Sequence, residues 1–285
     1  MISASYLPGH RSLMIGSLLL AVIALSGLLS LIWTPSDPFA MAISNRMQPP
    51  SAAAWFGTDH FGRDMLSLIM TATPITLSVA LIGVAIGVIG GVPLGLVSAL
   101  TNRASVDQGL TRFGDVLFAF PALIMAMLIT AGFGAGAGVA MLAIGIFNIP
   151  VFLRVTRASA LQQRHLTYIQ SARLAGKSLP RIAAEHILPN IAPILILQAT
   201  IQFSLAVLAE AGLSYLGLGA QPPLPSWGRM LADSQTMIGI APHMAIAPGL
   251  MIMLTVIAAN LIGEGLRKRL NPRQQNLLGR GRPWR

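Results

Sequence analysis

The chain contains no cysteine among its 285 residues. This absence excludes disulfide bonds, thiolate metal sites and cysteine nucleophiles, although by itself it assigns no cellular compartment. Charged residues are also scarce, at 10% of the chain, and the 9 acidic residues are outnumbered by 19 Lys and Arg. Because a soluble globular protein carries about 25% charged residues, this composition points away from that class.

Hydrophobic residues make up 54% of the chain, and the mean hydropathy is +0.70. Five stretches contain no charged residue: 12–36, 65–102, 116–153, 186–209 and 234–263. A membrane-spanning helix needs about 20 apolar residues, so the third stretch holds two, separated by a glycine-rich turn at Gly132, Gly134, Gly136 and Gly138. We predict an all-α polytopic membrane protein with six transmembrane helices, near residues 13–33, 75–100, 115–132, 138–158, 190–212 and 244–263.

The basic residues set the orientation of these helices. Lys and Arg accumulate on the cytoplasmic side of membrane proteins. With the N-terminus in the cytoplasm, 16 of the 19 basic residues fall inside, and only Arg46, Arg63 and Arg229 fall outside. We therefore predict that both the N- and C-termini are cytoplasmic. The basic residues are scattered over three loops and a tail, which argues against nucleic acid as a partner.

A polar, basic segment stands between two of the long apolar spans. Residues 168–190 read YIQSARLAGKSLPRIAAEHILPN. A membrane protein has no structural need for two short helical pieces joined at a glycine on its cytoplasmic side. Such a loop makes sense as a docking surface for a soluble partner.

This segment resembles the coupling loop of ABC-importer permeases. That pattern is Glu-Ala-Ala, three residues, Gly, nine residues, Ile, any residue and Leu-Pro. The matching positions here are Gln170, Ser171, Ala172, Gly176, His186, Leu188 and Pro189. The spacing is intact, but Gln-Ser replaces Glu-Ala and His186 replaces Ile. The resemblance therefore implies docking of an ATPase, without the acidic first residue.

Within the same loop, residues 171–178 read SARLAGKS, one residue short of the phosphate-binding pattern GxxxxGK[ST]. Ser171 stands where the first Gly belongs, and Pro180 follows closely. A phosphate-binding loop needs that Gly, a buried strand before it and a helix after it. We predict that the chain binds no cofactor and is not an enzyme, and that partner subunits bind ATP and Mg.

Residues 55–64, WFGTDHFGRD, precede the second span. They suggest a metal or acid–base site through three side chains: Asp59, His60 and Asp64. We favour a tight polar turn, because one His between two carboxylates lacks the ligands of a specific site. In that turn Asp59 caps the following helix and Arg63 pairs with a carboxylate.

Four glycines recur every four residues in the second span: Gly83, Gly87, Gly91 and Gly95. Small residues at this spacing share one helix face and let another helix approach closely. We predict that this face packs against another helix, either within the chain or in a partner permease.

Glu210 closes the fifth span and is followed by AGLSYLGLGAQPPLPSWG, which contains Trp227. An ionisable group at membrane depth is a functional candidate, so a gate or a place in the translocation path is one interpretation of Glu210 and Trp227. The alternative is structural. Glu210 lies at the outer end of its helix, where pairing with Arg229 or a backbone donor is easy.

Residues 55–64, 213–228 and 260–273 also resemble the dipeptide/oligopeptide/nickel branch of ABC permeases, so that the likeness covers about residues 9–273. The chain looks like the second-type permease, or C subunit, of that branch. This implies a type I ABC-importer permease fold. It divides the chain into an N-terminal region 1–72, a permease domain 73–273 with the coupling loop at 163–190, and a basic tail 274–285.

The resemblance further implies ATP-driven alternating access in a bacterial or archaeal cytoplasmic membrane. The implied partners are a homologous permease forming a heterodimer, two cytoplasmic ABC ATPases and an extracytoplasmic solute-binding protein. Peptides or peptide-like solutes are the favoured cargo, and nickel or other metal chelates and opines are the alternatives. An ion-coupled secondary transporter needs polar or charged groups near the midplane, where the spans offer only scattered Asn148, Gln198, Thr200 and Gln202.

Overall fold

The computed structural model describes residues 9–270, and every regular element in that range is helical. The helices are α1 (Gly9–Leu29), α2 (Met65–Leu100), α3 (Ala104–Phe118), α4 (Ala122–Phe133), α5 (Ala137–Gln163), α6 (Thr167–Leu174), α7 (Leu179–Ile182), α8 (Leu188–Tyr215), α9 (Trp227–Ser234) and α10 (His243–Leu270). The predicted all-α class is confirmed. The predicted tail 274–285 lies outside the described residues.

Five helical segments are each long and apolar enough to cross a membrane: α1, α2, α5, the continuous stretch ending in α8, and α10. Helices α3 and α4 meet at an angle of 85° and together are long and apolar enough for a sixth span, if the bent pair is one span and not a re-entrant loop. The predicted helix near 115–132 is therefore interrupted. Pro121 causes the break, because it has no N–H to donate and disfavours helical geometry at the residue before it.

Helix α2 begins at Met65, earlier than the predicted position 75. The Asp64 carboxylate caps it by accepting hydrogen bonds from the Ser67 N–H at 2.8 Å and the Ser67 hydroxyl at 2.6 Å. With 36 residues, α2 is about 54 Å long, more than the ~30 Å thickness of a bilayer's hydrocarbon core. The domain boundary predicted after residue 72 falls inside this helix.

The glycine face of α2 packs against α5 of the same chain. A Cβ atom added at Gly83 would lie 2.7 Å from Ile144 Cγ2, and one added at Gly95 would lie 2.6 Å from both Leu153 O and Thr156 Cβ. Added Cβ atoms at Gly87 and Gly91 would overlap α5 in the same way. Only glycine permits this backbone approach, which is how helices associate in lipid.

The remaining spans pack around this pair. Helix α1 lies along α10, where a Cβ at Gly16 would come within 2.7 Å of Ala258 O. Helix α8 contacts α2, α5 and α10. The segment before α2 folds over the outer end of the bundle, and its Thr58 carbonyl lies 3.0 Å from His243 Nε2 at the start of α10.

Replacing Gly95 with Val is expected to destabilise the helix pair, because the new side chain meets the α5 backbone. Overpacking of this kind costs about 1–3 kcal/mol. The matched control is Gly109→Val on α3, where an added Cβ meets nothing within 4 Å. Thermal unfolding of the detergent-solubilised proteins measures the difference, and equal melting temperatures for both variants would contradict this packing.

The orientation is tested on the cysteine-free chain. Cysteines introduced at Ser51 and Leu224, both exposed, are expected to react with a membrane-impermeant maleimide added outside intact cells. A cysteine at the exposed Gln162, at the end of α5, is expected to react only after the membrane is opened. The reverse labelling pattern would invert the topology.

Candidate functional site

The coupling segment, residues 167–189, is built from α6, a turn, α7, a π-helical turn at Ala183–Ile187 and the first residues of α8. One side of it is apolar and buried: Ile169, Ile182 and Ile187 are all 0% exposed and belong to the main hydrophobic core. The opposite side of α6 carries Gln170 and Ser171, both exposed. The segment is thus anchored on one side and open to a partner on the other.

Gly176 ends α6 with a backbone conformation that other residues adopt only under strain. Its φ is +78°. Its N–H donates to Arg173 O at 3.0 Å, and the Lys177 N–H donates to Ala172 O at 3.1 Å, which together form a Schellman motif. An added Cβ would meet nothing within 4 Å. Backbone conformation within this chain, and not lack of space, therefore favours glycine here, with Asn as the residue that best replaces it.

A polar network links the two halves of the coupling segment. Lys177 Nζ donates to Glu185 Oε2 at 2.7 Å and lies 3.0 Å from His186 Nε2. Arg181 Nε donates to Glu185 Oε1 at 2.6 Å, and the His186 ring packs edge-on against Tyr168 at 6.3 Å. The His that departs from the family pattern thus joins the π-helical turn to both α6 and the turn after it.

The segment does not have the geometry of a phosphate-binding loop. Residues 171–174 form the last turn of α6, whereas a phosphate-binding loop follows a β-strand. The amino group of Lys177 is bonded to Glu185.

A second group of contacts fixes the base of the coupling segment, and the sequence interpretation missed it. Arg157 on α5 donates to both Asp107 carboxylate oxygens, at 2.7 Å each, and to Ser98 Oγ at 3.1 Å. Arg164 donates to Ala99 O at 2.9 Å. These bonds tie the end of α5 to α2 and α3. The sequence feature that could have revealed these contacts is Asp107, because acidic residues are rare in this chain.

The tip of the segment is apolar and exposed. Leu174 is 91% exposed and Leu179 is 36% exposed. Beside them, a groove of about 520 Å³ runs between the end of α2 and α7, lined by residues such as Leu96, Leu100 and Pro180. An exposed apolar surface at a rigid tip is typical of a protein interaction site.

Glu210 and Trp227 are enclosed by the chain itself. Both are 0% exposed. Glu210 accepts a hydrogen bond from Ser214 Oγ at 2.7 Å, and Trp227 Nε1 donates to Ile69 O at 3.3 Å. Of the two kinds of partner suggested for Glu210, Arg229 is paired with Asp233 at 3.1 Å instead.

A partner chain can only deepen this burial. In this conformation, therefore, neither side chain lines an open path, and both serve to pack α2, α8 and α9 together. Gly228, next to Trp227, also packs closely against α8, because a Cβ there would overlap the backbone of Ala211.

Residues 55–64, the polar segment before α2, contain a hydrogen-bonded turn. Asp59 is 3% exposed; it accepts from the Phe61 and Arg63 N–H groups at 2.8 Å each and pairs with the Arg63 side chain at 2.6 Å. The following helix is capped by Asp64, so the expectation that Asp59 caps it is wrong. Among residues 9–270, no three His, Asp or Glu side chains are grouped as a metal site.

Comparison with known proteins agrees with these features. Residues 91–276 match the family model of the binding-protein-dependent transport system inner membrane component. The chain is 38% identical to a dipeptide transport system permease protein of Alkalihalophilus pseudofirmus, over 94% of this chain and 88% of that protein. It is 41% identical to a glutathione transport system permease protein of Pectobacterium atrosepticum, over 79% of this chain and 74% of that protein.

A solved structure has the same fold. A chain of the inward-facing MetNI methionine ABC transporter superposes with a TM-score of 0.58 at 17% identity, covering 72% of this chain and 97% of that one. The predicted type I importer permease fold is therefore confirmed.

The packing role of Trp227 is testable without a transport assay. Trp227→Ala is expected to lower stability by about 3–5 kcal/mol, the cost of removing a large buried aromatic side chain. The control is Trp55→Ala, since Trp55 is 71% exposed and its loss is expected to change little. Thermal unfolding of both variants tests this role. An unchanged melting temperature for Trp227→Ala would contradict the packing role and favour a place for Trp227 in the translocation path.

Proposed function

Because this chain belongs to the family of binding-protein-dependent transport system inner membrane components, we propose that it forms part of the path by which peptides or peptide-like solutes enter the cell. Its place is the bacterial or archaeal cytoplasmic membrane. The names of the dipeptide and glutathione relatives favour a peptide-like cargo over the alternative metal chelates and opines.

The proposed complex contains this chain, a related permease, two cytoplasmic ATPases that bind ATP and Mg, and an extracytoplasmic binding protein. The coupling segment is the proposed ATPase contact. The observation that carries this assignment is the exposed apolar tip: Leu174 is 91% exposed, and Gly176, two residues later, is held by the Schellman hydrogen bonds.

Two routes in this chain can transmit movement of that tip. The buried Ile182 and Ile187 connect the segment to α8 and the core. The Arg157–Asp107 ion pair and the Arg164–Ala99 hydrogen bond connect the end of α5 to α3 and α2. ATP-driven closure of the ATPases would therefore tilt whole helices and alternate access to the two sides of the membrane.

The proposed wall of the path is a groove of about 310 Å³ between α4, α5 and α8. Its lining is apolar apart from Asn148 and Gln202, which hydrogen-bond to each other at 2.6 Å. Such a wall binds solute weakly, as conduction requires, and leaves the choice of cargo to the binding protein. The alternative function, an ion-coupled secondary transporter, receives no support from Glu210, because this carboxylate is enclosed and accepts a hydrogen bond from Ser214.

The coupling assignment is tested at Gly176. Gly176→Leu is expected to abolish uptake and solute-stimulated ATP hydrolysis in proteoliposomes of the complete complex, because a left-handed backbone costs such a residue about 1–2 kcal/mol and the tip loses its shape. Gly176→Asn is expected to keep most activity, since Asn tolerates this conformation.

The control for expression and insertion is Gly239→Leu. Gly239 is exposed, has no left-handed φ, and an added Cβ there meets nothing within 4 Å. Uptake by Gly176→Leu at the parent rate would refute the proposed coupling role.

A further inference from the structure

The first turn of α1 and the last turn of α10 meet at the same end of the bundle. Arg269 NH2 lies 2.6 Å from His10 Nδ1, although the two residues are 259 positions apart. Arg11 and Arg267 lie within two positions of this contact, and all four side chains are exposed. We call these four residues, His10, Arg11, Arg267 and Arg269, the basic end cluster.

No acidic side chain of the chain neutralises this cluster. Within residues 9–270 every Asp and Glu is placed elsewhere: Asp37 in a turn, Asp59 with Arg63, Asp64 as a helix cap, Asp107 with Arg157, Asp115 with Arg154, Glu185 with Lys177 and Arg181, Glu210 in the core, Asp233 with Arg229, and Glu264 with Lys268. Residues 1–8 and 271–285 contain no Asp or Glu. Within residues 9–270 no carboxylate is therefore bonded to the cluster, which leaves it accessible to an external anion.

A groove between two helices ends at Arg267 of this cluster. It lies between α8 and α10, has a volume of about 300 Å³, and contains Leu197 and Ile201 on one wall and Ala259 and Gly263 on the other. Gly263 keeps it open, since a Cβ there would lie 2.9 Å from Thr200 Oγ1. Ile201 is 42% exposed, so the apolar wall is accessible from the side.

Arg267 also lines this groove. Glu264 lies beside it, but its carboxylate pairs with Lys268 at 2.9 Å. The groove therefore has apolar walls with Thr200 and Asn260 between them, and it ends at Arg267 and the Lys268-paired Glu264. Arg11 and Arg269 add positive potential at the same end of the bundle.

We propose that this groove and the basic end cluster bind an anionic phospholipid. Arg267 would hold the phosphate, and an acyl chain would lie along Leu197 and Ile201. In the predicted orientation the site belongs to the cytoplasmic leaflet, where basic pockets between helices attract anionic head groups. An acidic protein surface would satisfy the charges but would leave the apolar groove empty, so the two features together favour a lipid.

The first test uses the permease purified with its native partner subunits in phosphatidylcholine nanodiscs, and compares the binding of spin-labelled phosphatidylglycerol and phosphatidylcholine. The parent is expected to prefer phosphatidylglycerol. The variant Arg267→Gln/Arg269→Gln is expected to lose about fivefold of that preference for each arginine removed. The control Arg103→Gln/Arg112→Gln makes the same charge change at two other exposed basic residues and is expected to retain the preference.

Two results of this test would overturn the proposal. One is a parent that binds both lipids equally, which needs no variant to interpret. The other is an equal loss in the test and control variants, which would show a general charge effect without a site.

The second test locates the lipid. Phosphatidylglycerol with a photoreactive acyl chain is expected to cross-link to residues 197–201 and 259–263. The variant Ile201→Trp fills the groove without changing any charge and is expected to reduce this cross-linking severalfold. Displacement of the probe by millimolar inorganic phosphate, or cross-linking confined to partner subunits, would mean that a free anion or an acidic protein occupies the cluster, and would overturn the lipid assignment.

Discussion

The close approach of α2 and α5 is the constraint on which the rest of the structure depends. Lipid provides no hydrophobic drive between helices, so their association needs close van der Waals packing. The glycines of α2 supply it by bringing the backbone against Asn148, Phe152 and Leu153. Helix α2 begins at the Asp64 cap, at the end of the turn formed by residues 55–64. At the opposite end of the pair, α5 ends at Gln163 and leads into the coupling segment. The pair is a rigid connection between the two faces of the membrane.

The few charges position the elements around this pair. The Asp107–Arg157 and Asp115–Arg154 ion pairs hold α3 against α5, and their side chains are 30–56% exposed. Exposed or partly exposed ion pairs contribute only about 0–1 kcal/mol each to stability. Their main effect is therefore to position α3 relative to α5. Pro121 then sets the sharp turn into α4. A chain with so few acids leaves several basic residues without a carboxylate among the described residues, and the basic end cluster is one such group.

Hydropathy and spacing predicted the spans, the glycine face and the position of the coupling segment, because each depends on local pattern. They did not predict the break before α4, since a window of about 20 residues averages over a short interruption at Pro121. They also assigned the helix cap to Asp59 instead of Asp64, and named Arg229 or a backbone donor, not Ser214, as the partner of Glu210. Those choices depend on which side chain the folded backbone turns inward. The contact between His10 and Arg269 joins the two ends of the described chain, which no local pattern can reveal.

The coupling segment departs from its family pattern in a way that the contacts explain. Its triplet has no acid, and the acid of the segment, Glu185, is bonded to Lys177 and Arg181 within the segment itself. His186 adds a polar contact to Lys177, where the pattern has an apolar residue. These groups lock the two halves of the segment together. The exposed face of α6 carries the uncharged Gln170, Ser171 and Leu174, while the Arg181 and Glu185 side chains on the other half are 65% and 39% exposed. In the proposed docking of an ATPase, recognition would therefore combine the shape that Gly176 maintains and apolar contact at Leu174 with these partly neutralised charges.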